Sequence, residues 1–174
     1  NLFFSPSFKT SAEKLETNSL ASASIKKQEG NYFTSEFGYA FDYDVRNQKF
    51  QTTEGFRSTY SIDLPVVSNN YTLTNTYNYK YYTELYEDNV SSISFLFKAA
   101  QSLKNDDVKL SERLYIPSSR LRGFESGRVG PKDGEDFVGG NLLSSVNLNT
   151  TLPQILPNNQ TTDFLLFMDI ANIW

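Results

Sequence analysis

Residues 35–44 read SEFGYAFDYD. Phe37, Tyr39, Phe41 and Tyr43 fall on one side of an extended chain, and Glu36, Gly38, Ala40, Asp42 and Asp44 fall on the other. A period of two sets one row of side chains against an apolar surrounding and the other against a polar one, which defines a strand between unlike environments. The pattern continues in the C-terminal direction. After a turn over residues 45–55, Phe56, Ser58, Tyr60, Ile62 and Leu64 oppose Arg57, Thr59, Ser61 and Asp63, and Pro65 is expected to end that strand. Residues 71–86 place Leu73, Tyr77, Tyr79, Tyr81 and Leu85 on one side, and residues 90–103 do the same with Ile93, Phe95, Phe97 and Ala99. Leu142, Val146, Leu148 and Leu152 then oppose Ser145, Asn147, Asn149 and Thr151. In the last run, Phe164, Leu166, Met168, Ile170 and Trp174 oppose Phe167, Asp169 and Ala171. Polar turns at 68–70, 87–89 and 153–161 separate these runs. Upstream, Leu2, Phe3, Phe4 and Phe8 read as the end of a further strand. Residues 11–29 lack aromatics and read as a loop insertion with a short helix over residues 20–28, capped by Asn18 and Ser19 and stopped by Gly30.

About seven strands or strand ends therefore predict an all-β, antiparallel fold. A soluble sandwich also alternates, so the period by itself leaves the compartment open. Three details favour a transmembrane barrel. The runs reach ~10 residues or more, beyond the ~5 to 6 usual in soluble sheets; Tyr and Phe cluster near their ends as an interfacial belt does; and short polar turns alternate with long elaborate ones. Aromatics make up 15% of the 174 residues while the mean hydropathy is only −0.46. No segment approaches the ~20 apolar residues of a spanning helix. A barrel strand needs only every second residue apolar, so a membrane-spanning sheet is hydrophilic on average. The absence of an initial Met and the stop inside an apolar run at Trp174 lead us to expect a fragment.

The chemistry is sparse. With no Cys and no His, thiolate and imidazole metal sites, disulfides and the usual Ser/His or Cys/His nucleophile pairs are absent, so no cofactor and no enzyme activity are expected. A net charge of −4 and the lack of a basic stripe argue against a nucleic-acid partner. Asp133, Glu135 and Asp136, like Asp106 and Asp107, lack the spacing of a calcium loop and read as solvated surface charge. Asp42 and Asp44 share one face of a strand without a recognisable nucleophile and read as part of a hydrated wall.

The exception is RLRGFESGRVGPKDGEDFVGGN, residues 120–141, set between two alternating runs. Its six glycines supply positive-φ positions, Pro131 fixes one φ, and Arg122 with Phe124 offers a charge and an aromatic anchor. A Walker A loop would end in Gly-Lys-Ser/Thr before a helix, and a dinucleotide fingerprint also opens a helix, whereas the residues after Gly140 are strand-like. A plain hairpin connection remains the alternative.

Arg122-Gly123-Phe124, Val129-Gly130-Pro131, Val138-Gly139-Gly140-Asn141 and Asp169-Ile170-Ala171-Asn172-Ile173-Trp174, in this order, closely resemble the C-terminal barrel of the BamA family of outer-membrane protein insertases. The similarity extends upstream through Phe41-Asp42-Tyr43-Asp44 and Thr53-Glu54-Gly55-Phe56 and is weakest over the first thirty residues. The resemblance, which is to alphaproteobacterial versions, implies that residues 1–174 are part of a single C-terminal barrel domain in the bacterial outer membrane, with periplasmic repeats and final strands lying elsewhere. It implies insertion of nascent outer-membrane proteins without a nucleotide, with assembly-complex lipoproteins and outer-membrane lipid as further partners. It also implies that the glycine-rich loop folds into the lumen, where Arg122 meets Asp169 and the aromatic ring of Phe167. Gly123, Phe124, Gly130, Pro131, Gly139 and Gly140 complete the expected loop site. One departure stands out: the family often carries a glutamate where this chain has Asn149, which removes a negative charge from the arginine site. Two-partner secretion and autotransporter-assembly barrels share an arginine-bearing inner loop and are the nearest alternative, and a passive channel or a soluble β-sheet binding protein represents a second class.

Overall fold

The computed structural model describes residues 1–86, 89–104, 106–152 and 164–174. Seven long strands form one antiparallel sheet: β1 (Leu2–Leu15), β2 (Gly30–Asp44), β3 (Gly55–Ser68), β4 (Thr72–Tyr86), β5 (Asn89–Ser102), β8 (Leu142–Thr151) and β9 (Leu165–Ile173). They lie side by side in chain order. The sheet is not closed, and β1 and β9 are its two edges. The two-residue strands β6 (Lys132–Asp133) and β7 (Asp136–Phe137) make a small separate hairpin within the long β5–β8 connection.

The register explains why alternation in sequence becomes two faces in space. Phe41 pairs with Tyr60, Tyr60 with Tyr77, Tyr77 with Phe97 and Ile93 with Leu148, so the apolar rows of successive strands align on one face. Aromatic rings meet across this outer face, with centroids 5.1 Å apart for Phe4 and Phe41 and 5.6 Å apart for Phe56 and Tyr79. Such pairs contribute beyond their buried area.

The opposite, inner face is covered near β5, β8 and β9 by the β5–β8 connection. Leu96 and Ala100 of β5, Leu143 of β8 and Ile173 of β9 pack against Val108, Leu114 and Ile116 of the connection to form the buried apolar core. Leu143 is wholly inaccessible. The core thus lies between a wall and the loop leaning on it.

Three local expectations change. β1 does not end near Phe8 but continues to Leu15, in unbroken register with β2 as far as Leu15 opposite Gly30. The Ser, Ala, Glu and Lys of residues 11–14 favour helix or loop by propensity, and the ladder to Tyr32 and Phe33 overrides them. The helix consequently shrinks to one turn, α1 (Ala23–Lys26), with Ser22 rather than Asn18 or Ser19 at its N-cap. Nor does Pro65 end β3. The strand passes through it to Ser68 with a bulge, Glu36 opposite Pro65 and Ser35 opposite Val67, at a point where pairing with β4 has already stopped at Asp63. A missing N–H is tolerated where the ladder is already interrupted. The turn expected at 153–161 lies outside the described residues, as do Glu87 and Asp88 of the β4–β5 turn.

Candidate functional site

The β5–β8 connection returns along itself, with backbone hydrogen bonds in both directions between Leu114 and Gly140. Its return limb then meets β9, where the Trp174 carbonyl accepts the N–H groups of Asn141 and Leu142. Glycine is required at this crossing. A Cβ on Gly140 would sit 2.6 Å from the Trp174 carbonyl oxygen, and one on Gly139, which has φ of 66°, 2.6 Å from that of Leu114. Gly130 faces Ile173 at the same separation, and Pro131 closes the β6–β7 hairpin by accepting the Val138 N–H at 3.0 Å.

This return path sets residues 120–122 over the inner face of β8 and β9. Asn147 stands opposite Asp169 and Asn149 opposite Phe167, so all four side chains lie on that face. Arg122 reaches three of them. Its Nε donates to Asp169 Oδ2 at 2.7 Å and its Nη2 to Asp169 Oδ1 at 2.5 Å, a two-point match of guanidinium to carboxylate. The Arg122 backbone N–H adds a third bond to Asp169 at 2.9 Å, and Nη2 also donates to Asn149 Oδ1 at 2.7 Å. The guanidinium carbon lies 3.7 Å from the centre of the Phe167 ring, a cation–π arrangement. Asp169 receives a further bond from Asn147 Nδ2 at 2.8 Å, and its side chain is 3% exposed against 29% for Arg122. A carboxylate so enclosed needs its cation. Breaking a fully buried pair costs about 3–5 kcal/mol, less where one partner stays wet.

Of the residues singled out in the sequence, Arg122, Phe167 and Asp169 come together here, and Asn149 accepts a hydrogen bond from Arg122 where a carboxylate would have supplied charge. Gly123 contributes a positive φ of 87° with open space around its Cα. Phe124 does not join the cluster: it is 59% exposed. The sequence reading missed Arg120 and Asn147. Arg120 donates to Ser94, to Asn147 Oδ1 at 3.2 Å and to Asn78 Oδ1 at 2.8 Å, while Asn147 Nδ2 donates back to the Arg120 carbonyl at 2.9 Å. The signal was available: Arg120 lies two residues from Arg122, and its three partners are polar positions on the inner rows of β4, β5 and β8.

Of the acidic loop residues read as solvated charge, Glu135, Asp106 and Asp107 are exposed, whereas Asp133 and Asp136 are half-buried and make contacts. Asp136 accepts the Ser22 N–H at 2.8 Å and Asp133 the Ser24 N–H at 3.0 Å, which ties the hairpin to the start of α1. The Ser24 hydroxyl and N–H hold the Asp133 carboxyl below the usual carboxylate range. Lys109, buried and 4.1 Å from the Tyr32 ring, pairs with Glu13 at 2.6 Å. Among the described residues no group of three or more His, Cys, Asp or Glu could hold a metal ion. Asp42 and Asp44, on the inner wall, are matched by Arg57 at 2.6 Å and Arg46 at 2.7 Å.

The antiparallel meander, with an apolar outer face and a loop pinned to the inner face by Arg122, has the layout of part of a transmembrane β-barrel wall. Residues 5–174 match the Omp85 superfamily domain, and the chain belongs to that superfamily. In a solved structure, BamA from Haemophilus ducreyi lacking POTRA domains 1-3, the same fold recurs with a TM-score of 0.82 over 99% of this chain and 38% of that one, at 16% identity. A SAM50-like protein of Schizosaccharomyces pombe is 36% identical over 63 residues, which are 36% of this chain and 13% of that protein. The chain therefore spans well under half the length of each relative.

Proposed function

We infer that this chain is part of the outer-membrane barrel of a bacterial insertase of the BamA type, which folds and inserts β-barrel proteins without covalent chemistry. The observation that carries the reading is the seating of residues 120–122 on β8 and β9 by Arg122, Asp169 and Phe167, in a chain whose family match runs from residue 5 to residue 174. Arg122 acts as a lock: it holds the long connection against the inner wall and so fixes the shape of the barrel while clients are threaded into the surrounding lipid. Unfolded outer-membrane proteins are the substrates, and assembly lipoproteins and outer-membrane lipid are the partners.

Reconstitution of the full-length protein into lipid vesicles tests the reading. Addition of an unfolded eight-stranded outer-membrane protein should yield protease-protected, heat-modifiable barrel faster than in empty vesicles, and Arg122→Ala should lose most of that acceleration while still inserting itself. Secretion of a soluble partner across the vesicle membrane, with no acceleration of barrel insertion, would assign the chain to the translocator branch instead.

A further inference from the structure

Between the seated loop and the inner face of β3 and β4 lies a cavity of about 330 Å3. Four cations border it, Arg46, Arg57, Lys80 and Arg120, together with neutral hydrogen-bonding groups such as those of Thr76 and Asn78. Among the described residues no carboxylate lines it. Arg46 and Arg57 are matched by Asp44 and Asp42. Among the described residues no carboxylate pairs with Arg120. Its three side-chain contacts, to Ser94, Asn147 and Asn78, are all with neutral oxygens. A guanidinium has five N–H donors, so Nε and one hydrogen of Nη2 are left for a further acceptor. Burial disfavours its charged form, and its pKa falls below the usual arginine value accordingly. A partly desolvated cation held only by dipoles is an arrangement that an entering anion would complete. Lys80 borders the same space, with its ammonium 4.7 Å from the centre of the Tyr82 ring.

We propose that this cavity is an oxyanion site, in which Arg120 presents two guanidinium N–H groups and Lys80 its ammonium to a phosphate or a carboxylate. Arg120 then acts in two directions, holding the loop to β4, β5 and β8 through neutral amides and a hydroxyl while turning its remaining donors to the ligand. The volume accommodates a hydrated phosphate or the carboxylate end of an acidic side chain, taking ~30 Å3 per water. The site depends on the seated loop and not on the insertase reading. It would exist in any barrel in which residues 120–122 lie against this wall, so failure of the insertion assay leaves it intact.

The test follows acylation of Lys80 in the full-length protein by mass spectrometry, using an amine-directed reagent in inorganic phosphate, sodium acetate or sodium chloride at one ionic strength. Phosphate is expected to slow modification of Lys80 severalfold and saturably relative to chloride, while exposed Lys14 reacts at the same rate in all three salts. Protection by acetate as well marks a site that takes carboxylates of the polypeptide type; protection by phosphate alone marks a phosphate site. Arg120→Gln should remove the protection. Equal rates in phosphate, acetate and chloride in the wild-type protein overturn the proposal whether or not the variant folds, and so does protection that persists undiminished in folded Arg120→Gln.

Discussion

At the scale of single residues, one arginine makes four hydrogen bonds and a ring contact to a wall from which it is separated by at least 27 positions in sequence. Arg122→Ala removes the cation from a nearly inaccessible carboxylate. The expected loss is about 2–4 kcal/mol, below the fully buried limit because Arg122 itself is partly wet. Asp169→Asn should cost a similar amount, and the double variant less than the sum, since both changes delete the same interaction. Denaturant midpoints of the full-length barrel, together with protease cleavage within residues 120–141, measure this cycle; strict additivity would show that the glycine backbone holds the loop without the pair. Gly140→Ala should destabilise the same loop by a different route, because its methyl would meet the Trp174 carbonyl, which is backbone and cannot swing away.

At the scale of elements, each strand divides its residues between two media. The outer row that includes Phe37, Phe41, Tyr60, Ile62, Phe95, Leu166 and Ile170 is expected to meet hydrocarbon. An arginine in place of Phe95 should cost about 2–4 kcal/mol if that position lies at the midplane, and less toward either end of the strand. Spin labels at these positions should collide with oxygen rather than with a water-soluble relaxant; the reverse pattern would reject the face assignment. The β6–β7 hairpin makes a second prediction at this level. Asp133 titrates below its ordinary value when its contact to Ser24 is made, so the contact contributes fully above the unfolded carboxylate pKa and is lost as pH falls through the lower, folded value. The protection of the Ser24 amide, relative to its intrinsic exchange rate at each pH, should therefore fall only on strong acidification, and Asp133→Asn should lower it at neutral pH.

At the scale of the whole molecule, the sheet ends in two unpaired edges, β1 and β9. In hydrocarbon every backbone group has to be satisfied, and only closure does this for a sheet. The 174-residue chain expressed alone is therefore expected to aggregate or to require detergent, whereas a monodisperse product in plain buffer would contradict a membrane sheet. The long connection adds another tie: Lys109 pairs with Glu13 near the end of β1, and Asp133 and Asp136 bind the start of α1, so the β5–β8 loop is fastened to both β1 and the β1–β2 connection.

The order of strands and the division of their faces were legible in sequence, because side chains in a strand alternate with a fixed period and neighbouring strands here succeed one another along the chain. The resemblance carried by Arg122-Gly123-Phe124 and by the segment from Asp169 to Trp174 pointed to the inner loop as well. Other features were decided by contacts between distant segments, which no local pattern records. Residues 11–14 became strand because β2 offered them a ladder, Pro65 was tolerated because β4 had already parted from β3, and Asp133 and Asp136 found the N–H groups of α1 more than a hundred residues away. Arg120 illustrates the same division: its charge is visible in sequence, but its three neutral partners come from three different strands, and only the folded sheet sets Asn78, Ser94 and Asn147 around one guanidinium.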